Sequence, residues 1–249
     1  MKRTDRCRPI VGGISCGSAI VTAGTLGAFI WLDDKPYLIS NAHVFEGKVG
    51  DPILQPGSFD GGETPADVVA ELAFISEFEE TNKVDLGIAE AVVDVKDEIL
   101  EITPGSRQVD LVPYEPAYGA GVLKSGRTTG LSVGKVTAQS THVSVAGYQA
   151  GTILFEDVVA VDGKCGGGDS GSAVIDMVSG NLIGLLFAGT EDGKTFFVIK
   201  AKNILDALQK SPKFRPALTQ AVEEPPKLVI PILAGLSLVG GGLALGLRR

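Results

Sequence analysis

The sequence of residues 166–174 is Gly-Gly-Gly-Asp-Ser-Gly-Ser-Ala-Val, and this stretch decides how the chain is interpreted. It places Ser170 among glycines, just before an apolar run that is typical of a β-strand. A serine hydroxyl is a poor nucleophile at neutral pH, so it needs a neighbouring base, normally a histidine oriented by a carboxylate. Glycines let the backbone bring N–H groups close to a carbonyl oxygen on which negative charge develops. The stretch therefore predicts a nucleophilic serine.

One of the two histidines of the chain is a candidate for the base. His43 directly follows an apolar, strand-like run in residues 38–42, and Asp85 stands inside another such run, residues 84–89. Asp85 follows His43 by 42 positions, and Ser170 follows Asp85 by 85 positions. Each motif alone is common in turns and at strand ends. Together they predict a base, a carboxylate that orients it, and a nucleophile.

These residues and their order resemble trypsin-like serine proteases of the chymotrypsin fold, of the bacterial lytic, streptogrisin or HtrA protease-domain type, without a PDZ domain. The resemblance covers about residues 20–210. It implies an all-β fold of two six-stranded antiparallel β-barrels with a C-terminal helix. It also implies a serine endopeptidase in which Ser170 attacks a peptide carbonyl to form an acyl-enzyme, His43 transfers the proton and Asp85 orients His43. The N–H groups of Gly168 and Ser170 would form the oxyanion hole, and no metal or organic cofactor is implied.

A second match concerns the aspartate before the nucleophile. The sequence of residues 124–130, Lys-Ser-Gly-Arg-Thr-Thr-Gly, resembles the segment that opens the second barrel in bacterial lytic and streptogrisin proteases. In those relatives a basic residue of this segment pairs with the aspartate that precedes the nucleophile. The resemblance therefore implies an ion pair between Lys124 and Asp169, with Arg127 as the other candidate.

The sequence Ile-Val-Gly-Gly of residues 10–13 copies the activated N-terminus of trypsin-like zymogens. In those enzymes a freed isoleucine amine pairs with the aspartate before the serine. Pro9 precedes Ile10 and would resist ordinary tryptic cleavage, and Lys124 offers Asp169 another partner. We interpret residues 1–19 as a polar N-terminal extension.

The substrate pocket is expected near residues 163–167 and 186–190, with Lys164, Cys165 and Gly189 as candidate lining residues. Lys164 lies close to the position of the pocket floor in relatives, which would favour acidic substrate residues. The histidine that glutamyl endopeptidases carry in the strand after the nucleophile is absent from residues 182–187. The substrate preference therefore stays open.

Composition narrows the class of protein. At 249 residues with 44% apolar content, the chain is long enough for one large core or two small ones, and its 33 glycines suit short strands and turns. The net charge of −8 argues against a nucleic-acid partner, which would require a basic face. Three cysteines make no even disulfide framework, although a Cys7–Cys16 bridge stays open.

The hydrophobic pattern predicts strands and one helix. The strands are predicted at 25–32, 36–40, 68–75, 84–93, 119–124, 132–138, 142–147, 152–160, 171–176, 182–188 and 195–200, and the helix at 202–210. From this we predict a first barrel over residues 20–108 and a second barrel with its terminal helix over residues 109–210.

The C-terminal part has a different composition. Residues 211–227 form a linker that contains Pro225 and Pro226, and consecutive prolines stop a helix. Residues 228–247 follow, 20 residues without a charge, which as a helix would span about 30 Å, the thickness of a bilayer core. We expect residues 228–249 to form a single-pass membrane anchor, on a side of the membrane that the flanking charges leave open.

The same residues also suggest two alternatives to a protease. A catalytically silent, protease-like scaffold that binds peptides at a membrane would keep the fold without the reaction. An esterase of the α/β-hydrolase type is excluded, because its order is Ser, acid, His and its nucleophile lies in a Gly-x-Ser-x-Gly elbow.

Overall fold

The computed structural model of the protein describes residues 1–21, 23–102 and 111–215. The predicted anchor at residues 228–249, and most of the predicted linker, lie outside the described residues. None of the helices in the described part has the length and apolar character that crossing a membrane requires.

The described chain consists mainly of β-strands. The elements are β1 (Ile10–Gly12), β2 (Ile14–Ser18), β3 (Gly24–Leu26), β4 (Ala28–Leu32), β5 (Lys35–Ser40), β6 (Pro52–Leu54), a 3-10 turn (Ser58–Asp60), β7 (Val68–Ile75), β8 (Thr81–Asn82), β9 (Gly87–Ala91), β10 (Val95–Ile99), β11 (Gly121–Gly126), β12 (Gly130–Tyr148), β13 (Gly151–Gly163), β14 (Ala173–Asp176), β15 (Leu182–Gly189), β16 (Thr195–Lys200) and α1 (Ala201–Lys210).

Two barrel-like sheets contain all of these strands except β1 and β10. The first has the order β3-β2-β6-β7-β9-β5-β4, and its two ends meet because only Gly27 separates β3 from β4. The second has the order β12-β11-β14-β15-β16-β13-β8 and closes through the pairing of β12 with β13. Two barrel-like sheets and a C-terminal helix confirm the predicted all-β architecture. Each sheet holds seven strands rather than six, because Gly27 interrupts one strand and the short β8 adds to the edge of β13.

The N-terminal residues differ from the predicted polar extension. β2 belongs to the first barrel, so the barrel sheet begins at Ile14 rather than near residue 20. β1 pairs in parallel with β10, and the N–H group of the fully buried Ile10 donates to the backbone oxygen of Asp94. Ile10 is therefore an internal strand residue. Strands this short carry too few positions for the alternation that reveals a strand in sequence.

The hairpin of β12 and β13 also departs from the prediction. Residues 132–138 and 142–147 were expected as two strands, whereas β12 runs without interruption over 19 residues. Its pairing with β13 shifts register several times, at positions such as Val136 to Ala138. Such bulges bend and twist a strand without ending it. The hairpin consequently extends far enough to reach the first barrel.

The barrels share a core. One apolar cluster joins side chains of the first barrel, including Ile39 and Leu86, to side chains of the second, including Leu185 and Phe187. Helix α1 adds Ile204, Leu205 and Leu208 to the same cluster, as its spacing predicts. This shared core holds the facing edges of the two barrels in one arrangement.

All three cysteines, Cys7, Cys16 and Cys165, are buried free thiols, so the Cys7–Cys16 bridge is not formed.

Candidate active site

His43 lies in a tight turn that directly follows β5. The N–H groups of Val44 and Phe45 both donate to the backbone oxygen of Asn41, at 3.1 Å. The side-chain amide of Asn41 in turn donates to the backbone oxygen of Asp85 at 2.8 Å. The turn and the chain just before β9 are thereby tied together, which places His43 beside Asp85.

His43 and Asp85 form a close pair. The Nδ1 of His43 lies 2.5 Å from Oδ2 of Asp85, and the backbone N–H of His43 donates to Oδ1 at 3.2 Å. The Asp85 side chain is fully buried, whereas that of His43 is 30% exposed. Since Asp85 occupies Nδ1, Nε2 is the nitrogen left to exchange a proton with other groups.

Burial would lower the pKa of His43, but the carboxylate of Asp85, with a smaller contribution from Glu46, outweighs it. The pKa of His43 is therefore raised above its ordinary value.

The loop that carries Ser170 is attached to the first barrel by Thr25. The backbone N–H of Thr25 donates to the oxygen of Ser170, and its hydroxyl donates to the oxygen of Gly168, both at 2.8 Å. A Cβ at Gly27 would overlap the backbone oxygen of Gly171, so only glycine permits this approach of the two barrels. The loop that carries Ser170 is therefore fixed to the first barrel.

Gly24 lies beside both Ser170 and the residue that follows His43. A Cβ on Gly24 would lie 3.0 Å from the backbone oxygen of Ser170 and 2.5 Å from a methyl carbon of Val44, the neighbour of His43. The Ser170 hydroxyl donates to the backbone oxygen of Phe187 at 3.4 Å, and no hydrogen bond joins it to His43 in the described residues. Catalytic hydrogen bonds are often long or misaligned before substrate binds.

The N–H groups of Gly168 and Ser170 donate to no other group in the described part of the chain. The peptide groups that carry them are held through their carbonyl oxygens. The hydroxyl of Thr128 donates to the oxygen of Gly167 at 2.6 Å, and that of Ser172 donates to the oxygen of Asp169 at 2.6 Å. Because a peptide group is planar and trans, fixing its carbonyl oxygen also fixes the opposite N–H direction.

Gly168 adopts a φ of +93°, in the left-handed region that favours glycine. A Cβ there would lie 2.7 Å from the Thr128 hydroxyl oxygen. Glycine is therefore required at this donor position.

Asp169 directly precedes Ser170 and is fully buried. Its carboxylate accepts from Lys124 Nζ at 3.0 Å, from the hydroxyl of Thr129 at 2.6 Å, and from the N–H groups of Gly166, Thr128 and Thr129 at 3.0 to 3.1 Å. Burial would raise the pKa of Asp169, but the charge of Lys124 and the hydrogen bonds from Thr129 outweigh it and lower the pKa.

Arg127, the alternative partner of Asp169, is engaged elsewhere. It forms an ion pair with Asp60 at 2.5 Å and lies over the ring of Phe59. The structure thus brings Lys124, and not Arg127, to Asp169.

The predicted pocket residues lie close together. Lys164 and Cys165 line a cavity of about 390 Å³ together with Asp162, Gly163 and residues 192–194. The Cys165 thiol lies 3.5 Å from the backbone oxygen of Thr195, and a Cβ on Gly189 would overlap its sulfur. Gly189 therefore lies beside Cys165 but does not line this cavity. The cavity carries two lysines and two aspartates, so Lys164 is not its only charge.

Sequence reasoning missed two residues of this site, Thr25 and Tyr148. Thr25 anchors the nucleophile loop, and the Tyr148 hydroxyl donates to Oδ2 of Asp85 at 2.7 Å. Neither lies within a recognisable motif. Both contacts connect residues more than 60 positions apart, and nothing local signals them.

The model of the family described as trypsin-like peptidase domain matches residues 17–185 of the chain. No curated protein sequence matches significantly. Among solved structures, the chain resembles Thermobifida fusca protease A (TM-score 0.58, 19% identity), covering 80% of this chain and 95% of that one. It also resembles a Nocardiopsis protease (TM-score 0.58, 18% identity, 80% and 95%) and a Cellulomonas bogoriensis chymotrypsin (TM-score 0.54, 20% identity, 80% and 94%). At these identities the likenesses show the chymotrypsin fold.

Proposed function

Because the chain belongs to the trypsin-like peptidase domain family and is a trypsin-like serine endopeptidase, we propose that His43, Asp85 and Ser170 are its catalytic triad and that it works through an acyl-enzyme. The observation that carries this proposal is the buried Asp85 held against Nδ1 of His43, with Ser170 and Val44, the neighbour of His43, both close to Gly24. The substrates are peptides or proteins.

The first half-reaction begins when the Ser170 hydroxyl turns from the oxygen of Phe187 toward Nε2 of His43. His43 takes the hydroxyl proton as Oγ bonds to the substrate carbonyl carbon. The carbonyl oxygen becomes an oxyanion and accepts hydrogen bonds from the free N–H groups of Gly168 and Ser170. When the C–N bond breaks, the imidazolium gives its proton to the leaving amine, and the acyl group stays on Ser170.

The second half-reaction repeats these steps with water. His43 takes a proton from the water as its oxygen attacks the acyl carbon. The ester bond to Ser170 breaks, and Oγ takes the proton back from His43. Asp85 stays ionised throughout and stabilises the imidazolium that forms in each half-reaction.

Reaction with a fluorophosphonate probe tests the proposal. Wild-type protein should be labelled and should cleave a peptide library, and both signals should disappear in Ser170→Ala and His43→Ala. Asp85→Asn should lower turnover by about 10⁴-fold, since it removes the charge and favours the wrong tautomer. Ser144→Ala is a matched control, because Ser144 is an exposed serine on β12. Full peptidase activity in Ser170→Ala would contradict the assignment.

A silent scaffold that binds peptides is the second candidate. The observation in its favour is the hydrogen bond from the Ser170 hydroxyl to the backbone oxygen of Phe187, which engages the hydroxyl with a group other than His43. Well-folded wild-type protein that neither reacts with the probe nor cleaves peptides would favour the scaffold over the enzyme.

We also propose that residues 228–247 tether the protease to a membrane. Support comes from the sequence alone: 20 uncharged residues with Lys227 on one side and Arg248 and Arg249 on the other. A tether would confine cleavage to substrates at a membrane surface.

A further inference from the structure

Tyr148 connects the second barrel to the acidic residue of the proposed triad. It is the last residue of β12, at the tip of the β12–β13 hairpin, and its hydroxyl lies 2.7 Å from Oδ2 of Asp85. The same oxygen faces Nδ1 of His43. In the described residues the Asp85 carboxylate accepts three hydrogen bonds, two from His43 and one from Tyr148. Among the residues that the structure describes, Tyr148 is thus its one partner outside the histidine.

Aromatic contacts fix the direction of the Tyr148 hydroxyl. Its ring meets His43 edge-on, with centroids 5.6 Å apart, and packs against Phe78 at 4.9 Å and Phe155 at 5.7 Å. A tyrosine ring has only two side-chain torsions to settle, so packing on several sides determines where its hydroxyl points.

The tip of the hairpin is itself held against the first barrel. The side-chain amide of Gln149 donates to the carboxylate of Glu46, three residues after His43. Gly147 and Gly151 flank the tip and adopt φ values of +99° and +97°, which favour glycine. The hairpin thereby delivers the Tyr148 ring into the space beside His43 and Asp85.

The hydroxyl can serve only as a donor in this place. Burial, and after it the charge of Asp85, raises the pKa of Tyr148 far above neutrality, so the phenol keeps its proton. A fully buried carboxylate needs hydrogen-bond donors in place of water. Tyr148 supplies one of them from the opposite barrel.

We propose that Tyr148 is a positioning residue for the protease reaction, which holds the Asp85 carboxylate in the orientation that receives His43 and moderates its pull on the imidazolium. The inference rests on the proposed triad. A hydrogen bond to a carboxylate disperses part of its negative charge, so removing it strengthens the attraction between Asp85 and a protonated His43. The charged groups that face His43 are Asp85 and Glu46, and both stay in place when Tyr148 loses only its hydroxyl.

Tyr148→Phe is the direct test, because it keeps the packed ring and removes the hydroxyl. We expect kcat to fall by about 10-fold with little change in KM, a loss that corresponds to a hydrogen bond to a charged group. We also expect a shift in the acid limb of the pH profile, which is the fall of kcat/KM on acidification. In Tyr148→Phe this fall should occur at higher pH. Tyr37→Phe is the matched control, since it removes a tyrosine hydroxyl that donates to Glu90 outside the site, at 3.2 Å, and both quantities should stay unchanged.

Two results would overturn the inference. One is a Tyr148→Phe protein with the kcat and acid limb of wild type. The other is a lower kcat with an unmoved acid limb, which would indicate a structural role alone.

A measurement without turnover separates this inference from the proposed function. In the Ser170→Ala background, the titration of His43 can be followed by NMR, and the only other histidine, the exposed His142, is removed with His142→Gln. Adding Tyr148→Phe should raise the pKa of His43, and an unchanged titration would overturn the inference. If wild type failed to react with fluorophosphonate while this titration shifted, the triad proposal would fail and the coupling of Tyr148 to His43 would stand.

Discussion

Lys124 Nζ lies 3.0 Å from Oδ2 of Asp169, and the two side chains are only 1% and 0% exposed. A buried carboxylate beside the nucleophile is stable only when its charge is compensated and its lone pairs accept hydrogen bonds. The pair joins the start of the second barrel, where Lys124 lies on β11, to the loop that carries Ser170. We therefore expect the stability of the fold and the shape of the proposed oxyanion hole to depend on the same contact.

Removing the cation should destabilise the protein strongly. Lys124→Met leaves the Asp169 charge buried without its partner, and we expect a loss of about 3–5 kcal/mol in the free energy of unfolding. Urea denaturation measures this loss. Lys35→Met is the matched control, because the Lys35–Glu90 pair lies at the surface, where solvent screens it, and this variant should lose much less stability. If both variants lost the same free energy of unfolding, burial would not explain the contribution of the Lys124–Asp169 pair.

The oxyanion hole should weaken when its support is removed. Thr128→Val deletes the hydroxyl that holds the peptide group between Gly167 and Gly168. We expect kcat to fall by about 10-fold with KM nearly unchanged, less than the 10²- to 10³-fold typical of losing an oxyanion donor itself. Thr137→Val removes a comparable bond, from Thr137 to the oxygen of Ala160, and should leave kcat at the wild-type value. A wild-type kcat in Thr128→Val would show that the loop needs no such support.

On acidification, activity should begin to fall at a pH above the ordinary pKa of histidine. His43 must be neutral to accept a proton, and Asp85 and Glu46 raise its pKa, so kcat/KM should fall as the pH drops through a value above about 6.5. Glu46→Gln should shift this acid limb to lower pH, whereas Glu71→Gln, at an exposed position on β7, should not. An acid limb that Glu46→Gln leaves in place would contradict the role of Glu46.

The same raised pKa has a consequence for stability. A group whose pKa is higher in the folded state stabilises the fold when it is protonated. The contribution of His43 is therefore complete below its unfolded pKa and is lost as the pH rises through its folded pKa. His43→Ala should show a weaker decline of unfolding free energy over that interval than wild type, in urea denaturation at several pH values.

The membrane proposal predicts that the full-length protein sediments with membranes and that a protein without residues 227–249 does not. Full-length protein should pellet with membranes and resist carbonate extraction, while a chain that ends at Pro226 should stay in the supernatant and cleave the same peptides. The described fold supports the second part, because Phe214 and helix α1 pack into the core that the two barrels share. Full-length protein that carbonate releases completely would reject the anchor.

Strands with clear apolar patterns could be predicted closely from the sequence. β7 and β16 begin and end at the predicted residues, and α1 differs by one residue at its start. β1 and β2 could not be found, because strands of three to five residues carry too little pattern. The uninterrupted course of β12 was missed for another reason, since its bulges depend on pairing with β13.

The residues of the proposed site could mostly be predicted from short motifs in the sequence. Ser170, His43 and Asp85 each stand in a short motif, and their order along the chain was enough to predict the fold and the family. Lys124 came from a motif as well, although the choice between Lys124 and Arg127 required the structure, in which Asp60 engages Arg127.

Tertiary structure alone decided how these residues are supported. Thr25 reaches the nucleophile loop across more than 140 positions, and Tyr148 reaches Asp85 across 63. Such contacts depend on the lengths and bulges of strands and on the packing of two barrels, and every part of the chain contributes to that packing. A short motif identifies the candidate reacting groups, because reactivity depends first on the type of side chain. The orientation of those groups is set by residues that only the folded chain brings near.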